Sequence, residues 1–240
     1  MKITYLDNSG FAVQMAHSLL IFDYYNMHSE RAAEGLAGGI VDEQTLNAAE
    51  RVYFFVSHKH YDHYNRGIFT LAAHNPATTF ILPRGLQYVP TDLDTNKLGT
   101  GDVYDDGYLR VMAHPSTDIG VSYQVEVEGK TLFHAGDLNC WHWAFESTPV
   151  QEKSYRDMYT RALTRIAQHM GRPDVAFFPV DARMKGPYDD GAVEFIATFR
   201  PGLFVPMHMQ RNYWVIDKLE QRVKGQNIFH ISRRGDSLQL

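Results

Sequence analysis

The sequence predicts an α/β protein built in four layers, two mixed β-sheets flanked by helices. Three observations carry that expectation. Short apolar segments dominate the first half of the chain, helical and strand patterns alternate in the second, and a histidine cluster follows directly on a dense apolar segment. No low-complexity or linker-like stretch divides the 240 residues, so one domain over 1–240 is expected.

The elements follow in order. Segments 3–6, 10–15 and 18–23 read as three short strands joined by tight turns. From Tyr24 to Ala49, with Gly35, Gly38 and Gly39, the chain reads as a long loop with some helix. Segment 51–56 is an unbroken apolar run after Arg51, the pattern of a strand buried on both faces. A short helix is expected after Asn65, carrying Ile68, Leu71 and Ala72, and a strand at 78–82. Strands at 103–104, 109–112, 121–127 and 131–134 come next, the last two joined by the hairpin signal Glu128-Gly129-Lys130. Tyr155 to Met170 is the clearest helix: Tyr155, Tyr159, Ala162, Leu163 and Ile166 fall on one stripe, and Gly171 and Pro173 end it. A strand at 175–180, a helix at 192–199, a strand at 203–205, a helix at 214–223 and a last strand at 228–231 complete the reading.

Composition excludes more than it selects. A formal charge of −5 leaves no basic footprint for a phosphate backbone, which speaks against a nucleic-acid partner. The single Cys140 has no partner for an intramolecular disulfide, consistent with a reducing compartment. The chain opens on a charge, no leader is expected, and no window approaches the roughly 20 apolar residues of a membrane span. A cytoplasmic protein is the expectation.

The anomaly is histidine. Twelve are present, and three fall within the six residues His58-Lys59-His60-Tyr61-Asp62-His63. In extended geometry residues two apart project to one side, so His58 and His60 can grip one cation. A turn at Tyr61 lets Asp62 and His63 face a second. Imidazole and carboxylate without thiolate suit zinc, manganese or iron.

This segment resembles the His-x-His-x-Asp-His signature of the metallo-β-lactamase superfamily, and the resemblance runs along nearly the whole chain. Leu20-Ile21-Phe22-Asp23 is similar to the family's early strand ending in a structural Asp. Phe133-His134-Ala135-Gly136-Asp137 is similar to the later strand whose Asp bridges two metals, and Val205-Pro206-Met207-His208 to the strand ending in the last ligand. The His-Ala-Gly-Asp and Pro-Met-His forms most resemble the branch of ascorbate-6-phosphate lactonase-like proteins. The resemblance implies an αββα sandwich and two divalent cations, zinc first, with manganese or iron as alternatives. His58 and His60 would hold the first cation, Asp62, His63 and His208 the second, and Asp137 would bridge them. The family's third ligand for the first cation falls near Met112–Ser122, where His114 is the histidine present; Thr117 stands where many relatives carry it. Asp118, His134 or water are the alternatives.

Two further stretches bear on substrate. Trp141, His142 and Trp143 follow Asp137 as an aromatic stretch, read as a pocket wall with His142 a candidate proton donor. Arg183 and Lys185 leave a buried strand at the end that carries His208, and either can receive an anionic group. The implied reaction is hydrolysis of a small-molecule lactone, ester or phosphoester by metal-activated water, with Asp62 or Asp137 as proton acceptor. The rival readings are a binding or regulatory protein with an incomplete metal site, a nuclease or phosphodiesterase, and a redox di-iron enzyme; the last typically has Glu where His60 stands. A homo-oligomer is compatible with all of these.

Overall fold

A computed structural model describes residues 1–29, 33–186 and 188–240. Its strands are β1 (Lys2–Asp7), β2 (Gly10–Gln14), β3 (Ser18–Phe22), β4 (Arg51–Phe55), β5 (Thr78–Pro83), β6 (Asp94–Leu98), β7 (Val103–Asp105), β8 (Leu109–Pro115), β9 (Val121–Val127), β10 (Lys130–His134), β11 (Val175–Pro179), β12 (Leu203–Met207) and β13 (Ser237–Gln239). Its α-helices are α1 (Glu43–Asn47), α2 (Pro149–Ala167), α3 (Asp190–Phe199) and α4 (Val215–Arg222). The described chain forms two compact units, 1–98 with 231–240, and 99–230.

The first unit is a seven-stranded mixed sheet in the order β13-β1-β2-β3-β4-β5-β6. β1, β2 and β3 run antiparallel, and β3, β4, β5 and β6 run parallel. Leu19, Ile21, Val52, Phe54, Phe80 and Leu82 share one face, packed with Leu46 of α1 and with Ile68 and Phe69 of a 3₁₀ stretch at Arg66–His74. The alternate residues Leu20, Phe22, Tyr53, Phe55 and Ile81 are buried as well. Burial on both faces is why β4 reads as an unbroken apolar run.

The second unit is a six-stranded mixed sheet in the order β12-β11-β10-β9-β8-β7. Its β7–β10 part is antiparallel and its β10-β11-β12 part parallel. α2 packs on β8, α3 on β11, and α2 on α3. Phe133 stacks on Phe195 with ring centroids 5.2 Å apart, joining β10 to α3.

Three sequence expectations change. The long helix starts earlier, at Pro149, because Thr148 and Gln151 form a reciprocal capping box with proline at the first helical position. The strand expected at 228–231 is reduced to one bridge, Phe204 to Ile228, and the chain ends instead on β13 against β1. β6 was missed because its sequence, Asp-Thr-Asn-Lys-Leu, has no apolar pattern to betray an edge strand. The loop read over 24–49 holds a 3₁₀ turn at Gly35–Gly38 and α1, with residues 30–32 outside the described ones. Among the described residues, no helix is long and apolar enough to cross a membrane.

Candidate functional site

In the first unit the parallel register decides what meets what. Phe22 of β3 pairs with Phe55 of β4, so the residues after each strand leave the sheet side by side. Asp23 follows the first, and Ser57 and His58 the second. The Ser57 amide donates to Asp23 Oδ1 at 2.7 Å, and its hydroxyl donates to Asp23 Oδ2 at 2.6 Å. With that proton spent, His58 Nδ1 donates to Ser57 Oγ (3.0 Å), which fixes the tautomer and leaves a lone pair on the buried His58 Nε2. His60 Nδ1 lies 2.9 Å from that Nε2. Two ring nitrogens turned on each other at this distance share one proton or receive one cation.

The expected turn at Tyr61 is present: the His63 and Tyr64 amides both donate to the His60 carbonyl. It returns His63 beneath His58, with ring centroids 4.1 Å apart. His63 Nδ1 donates to Asp23 Oδ2 at 2.7 Å, so Asp23 orients both buried imidazoles, one directly and one through Ser57. Asp62, half-buried, accepts from Asn8 Nδ2 at 3.2 Å, and one of its oxygens lies within 4.8 Å of a His63 ring nitrogen. Asp23 has φ +42°, a conformation L-residues other than Asn and Asp seldom adopt.

In the second unit the same logic works across three strands. His134 of β10 pairs with Phe177 of β11, and Pro179 of β11 with Met207 of β12. Asp137, Asp181 and His208 therefore leave one sheet edge together. His208 Nδ1 donates to Asp181 Oδ2 at 3.0 Å, and its Nε2 lies 3.5 Å from Asp137 Oδ1. Asp181 also takes Arg183 Nε on both oxygens and Nη2 at 2.6 Å. Burial alone would raise the Asp181 carboxyl pKa; the bonds from His208 and Arg183 outweigh it and hold the group below its ordinary value. Trp141 is a buttress more than a wall: it is buried, donates Nε1 to the Asp137 carbonyl at 2.8 Å, and sets its ring edge-on to His208. His208, like Asp23, has positive φ, +59°.

The remaining expected residues are placed as follows. Half-buried Trp143 stacks on Trp141, and the Arg183 guanidinium lies 5.9 Å from the Trp143 ring centroid. His142 Nε2 pairs with Glu152 in the first turn of α2 at 2.8 Å. Lys185 lies over the exposed Phe145 ring; Pro187, the end of that stretch, falls outside the described residues.

His114 is not brought to Asp137 and His208. It is buried with its ring 6.2 Å from His169 and 6.4 Å from Phe133, the phenylalanine that packs on α3. Gln124 donates its amide to Glu126, so its oxygen faces His114, and His114 Nε2 donates to it at 2.9 Å. That nitrogen carries a proton rather than a lone pair. His134 is also engaged, since its Nδ1 accepts from the Gly136 amide at 3.2 Å. Thr117 braces the loop instead: its hydroxyl donates to the Asn139 carbonyl (2.6 Å) and accepts from the Asn139 amide (2.9 Å). The next residue, Asp118, is exposed and has a carboxylate oxygen within 4.8 Å of one of Asp137.

Sequence reasoning named Asp23 only by resemblance and passed over Asp181, Ser57 and Asn8. Asp181 did leave a signal, a carboxylate at the end of a buried strand with arginine two residues on. Asn8 left none, because it reaches Asp62 across 54 positions.

No protein-family model matches the chain. A metal-dependent hydrolase of the UPF0173 group from Opitutus terrae is 27% identical over 235 residues, covering 88% of this chain and 86% of that one. Among solved structures, Igni18, a metallo hydrolase of Ignicoccus hospitalis, superposes with a TM-score of 0.68 at 16% identity, covering 99% of this chain and 97% of that one. CmlA, a diiron β-hydroxylase of Streptomyces venezuelae, gives 0.68 at 14%, covering all of this chain and 54% of its own. The metallo-β-lactamase fold protein YhfI of Bacillus subtilis gives 0.62 at 12%, covering 99% of this chain and 98% of its own. The expected αββα fold, two mixed sheets flanked by helices, is thus the fold of this chain.

Proposed function

We propose that this chain, which has the metallo-β-lactamase fold, is a metal-dependent hydrolase that holds two divalent cations and acts on a small-molecule lactone, ester or phosphoester. One observation carries the reading. Two buried histidines, His63 and His208, each donate Nδ1 to a buried carboxylate, Asp23 and Asp181. A histidine that merely fills a core has no need of a desolvated anion, whereas a metal ligand needs its tautomer fixed and its Nε2 made more basic. The donor set of imidazoles and carboxylates fits zinc first, and manganese or iron as alternatives.

In this reading His58 and His60 would hold the first cation, Asp62, His63 and His208 would hold the second, and Asp137 would be a ligand shared by both. Asp118 takes the place expected of His114, because the His114 Nε2 proton is committed to Gln124 and Asp118 lies near Asp137. Cations held by these residues would supply Lewis acidity, easing deprotonation of a water near neutral pH and stabilising developing negative charge. Asp62, anchored on one side by Asn8 and half-buried, accepts the proton of the attacking water. His142, paired with Glu152, is the candidate proton donor to the leaving group. Trp143 forms the wall against which the substrate lies, and Arg183 acts through Asp181. The lactone preference rests on resemblance to the lactonase-like branch. Retention of His60 favours hydrolysis over the redox chemistry of a di-iron branch, and the −5 charge favours a small substrate over nucleic acid. A cytoplasmic site of action goes with the single cysteine.

Elemental analysis of the purified protein should find about two equivalents of metal per chain. A panel of lactones, esters and phosphoesters, assayed with zinc and manganese forms, should show metal-dependent turnover. Asp137→Ala should remove one equivalent and the activity. Stable metal-free protein without turnover would leave the binding-module reading in its place.

A further inference from the structure

The second unit carries a groove that the hydrolase reading does not use. It has a volume of about 760 Å³ and lies between the C-terminal ends of α3 and α4, with Arg172, Arg200, Arg222 and Lys224 on its lining. Arg172 precedes β11 and Pro201-Gly202 precede β12, so the groove opens at the start of these parallel strands. Asp181 and His208 leave at their other end, and five residues of strand separate the two by roughly 17 Å.

Its charge is not balanced locally. Arg222 is paired with Asp189 and Asp190. Among the described residues, the side chains of Arg172, Arg200 and Lys224 make no hydrogen bond and no ion pair. Arg172 is felt at longer range by Asp174, but that carboxylate is held by Lys130 at 3.1 Å. The plain alternative is that these cations complement the helix C-termini they flank. Two helix ends supply only about one negative charge between them against three cations, so about two positive charges remain. Arg200 also has φ +48°, at a helix C-cap where glycine is the usual residue. A chain of net charge −5 therefore concentrates uncompensated positive charge in one concavity of small-molecule size.

We propose that this groove binds a small, multiply phosphorylated metabolite, with Arg172, Arg200 and Lys224 as its charge contacts. A nucleic-acid backbone fits less well, since it needs a basic stripe and not a single pocket.

Fructose 1,6-bisphosphate is the probe, titrated calorimetrically into metal-loaded protein at low salt. One equivalent should bind, and Arg200→Gly with Lys224→Gln should weaken it at least tenfold. The glycine suits the left-handed backbone at this position, so the double variant should fold at least as well as the parent. Asp137→Ala should leave the affinity unchanged, which separates this site from the metal centre. The proposal falls if the probe does not bind, if the double variant binds it equally, or if Asp137→Ala alone abolishes binding. It also falls if a single-stranded oligonucleotide binds through the same residues and the bisphosphate does not.

Discussion

The first unit gathers four ligand candidates into the six residues His58–His63, whereas the second draws Asp137 and His208 from strands far apart in sequence. The supports differ in the same way. Asp23 serves two imidazoles, one through Ser57, while Asp181 serves only His208 and is itself clamped by Arg183. The contiguous cluster depends on one turn and one carboxylate. The dispersed cluster depends on the register of three parallel strands, and so on the packing of the whole sheet.

The largest effects should come from ligands on either side. His63→Ala and His208→Ala should each cost several kcal/mol of transition-state stabilisation, on the order of 10³-fold in kcat/KM. If only one of them impairs turnover, the two clusters do not serve one reaction. Smaller losses should follow at the supports: Asp23→Asn and Asp181→Asn should each weaken metal affinity by about 10- to 100-fold in chelator competition. Arg183→Gln should reproduce part of the Asp181 effect. Asp23→Asn should disturb two ligands at once, and an equal loss in both variants would erase the asymmetry described here.

Next in size is the choice between His114 and Asp118. Asp118→Asn should lower affinity for the first cation about tenfold, while His114→Gln should leave metal content intact. The reverse pattern would return His114 to the ligand set. The smallest effect is on stability. Burial, together with the nearby His169, outweighs the Gln124 hydrogen bond and lowers the His114 pKa. The unfolded chain therefore takes up this proton first as pH falls below about 6.5, and the folded state loses stability there by at most about 1.4 kcal/mol per pH unit. His114→Gln should flatten that part of the unfolding profile between pH 7 and 5; an unchanged slope would mean that His114 titrates normally.

What could be read without coordinates follows the same divide. His58, His60, Asp62 and His63 could be named as ligand candidates because they lie side by side and their chemistry is local. Asp137 and His208 were legible only through resemblance, since each alone reads as a turn residue and a core histidine. For His114 the sequence shows a histidine in the right stretch but not which way β8 turns it; in the structure its Nε2 faces Gln124, whose amide is oriented by Glu126. The fold was legible where strands are buried on both faces, and not at the edges β6 and β13, where there is little apolar pattern to read.

If the site binds metal as proposed, the left-handed backbone at Asp23 and His208 would couple folding to metal supply. Each such residue stores on the order of 1–3 kcal/mol when its conformation is strained. A cation that binds only the folded chain returns about 2.7 kcal/mol at a hundredfold excess over its Kd. The two quantities are of one size, so the melting temperature should climb with free metal concentration and rank zinc, manganese and iron before any substrate is known.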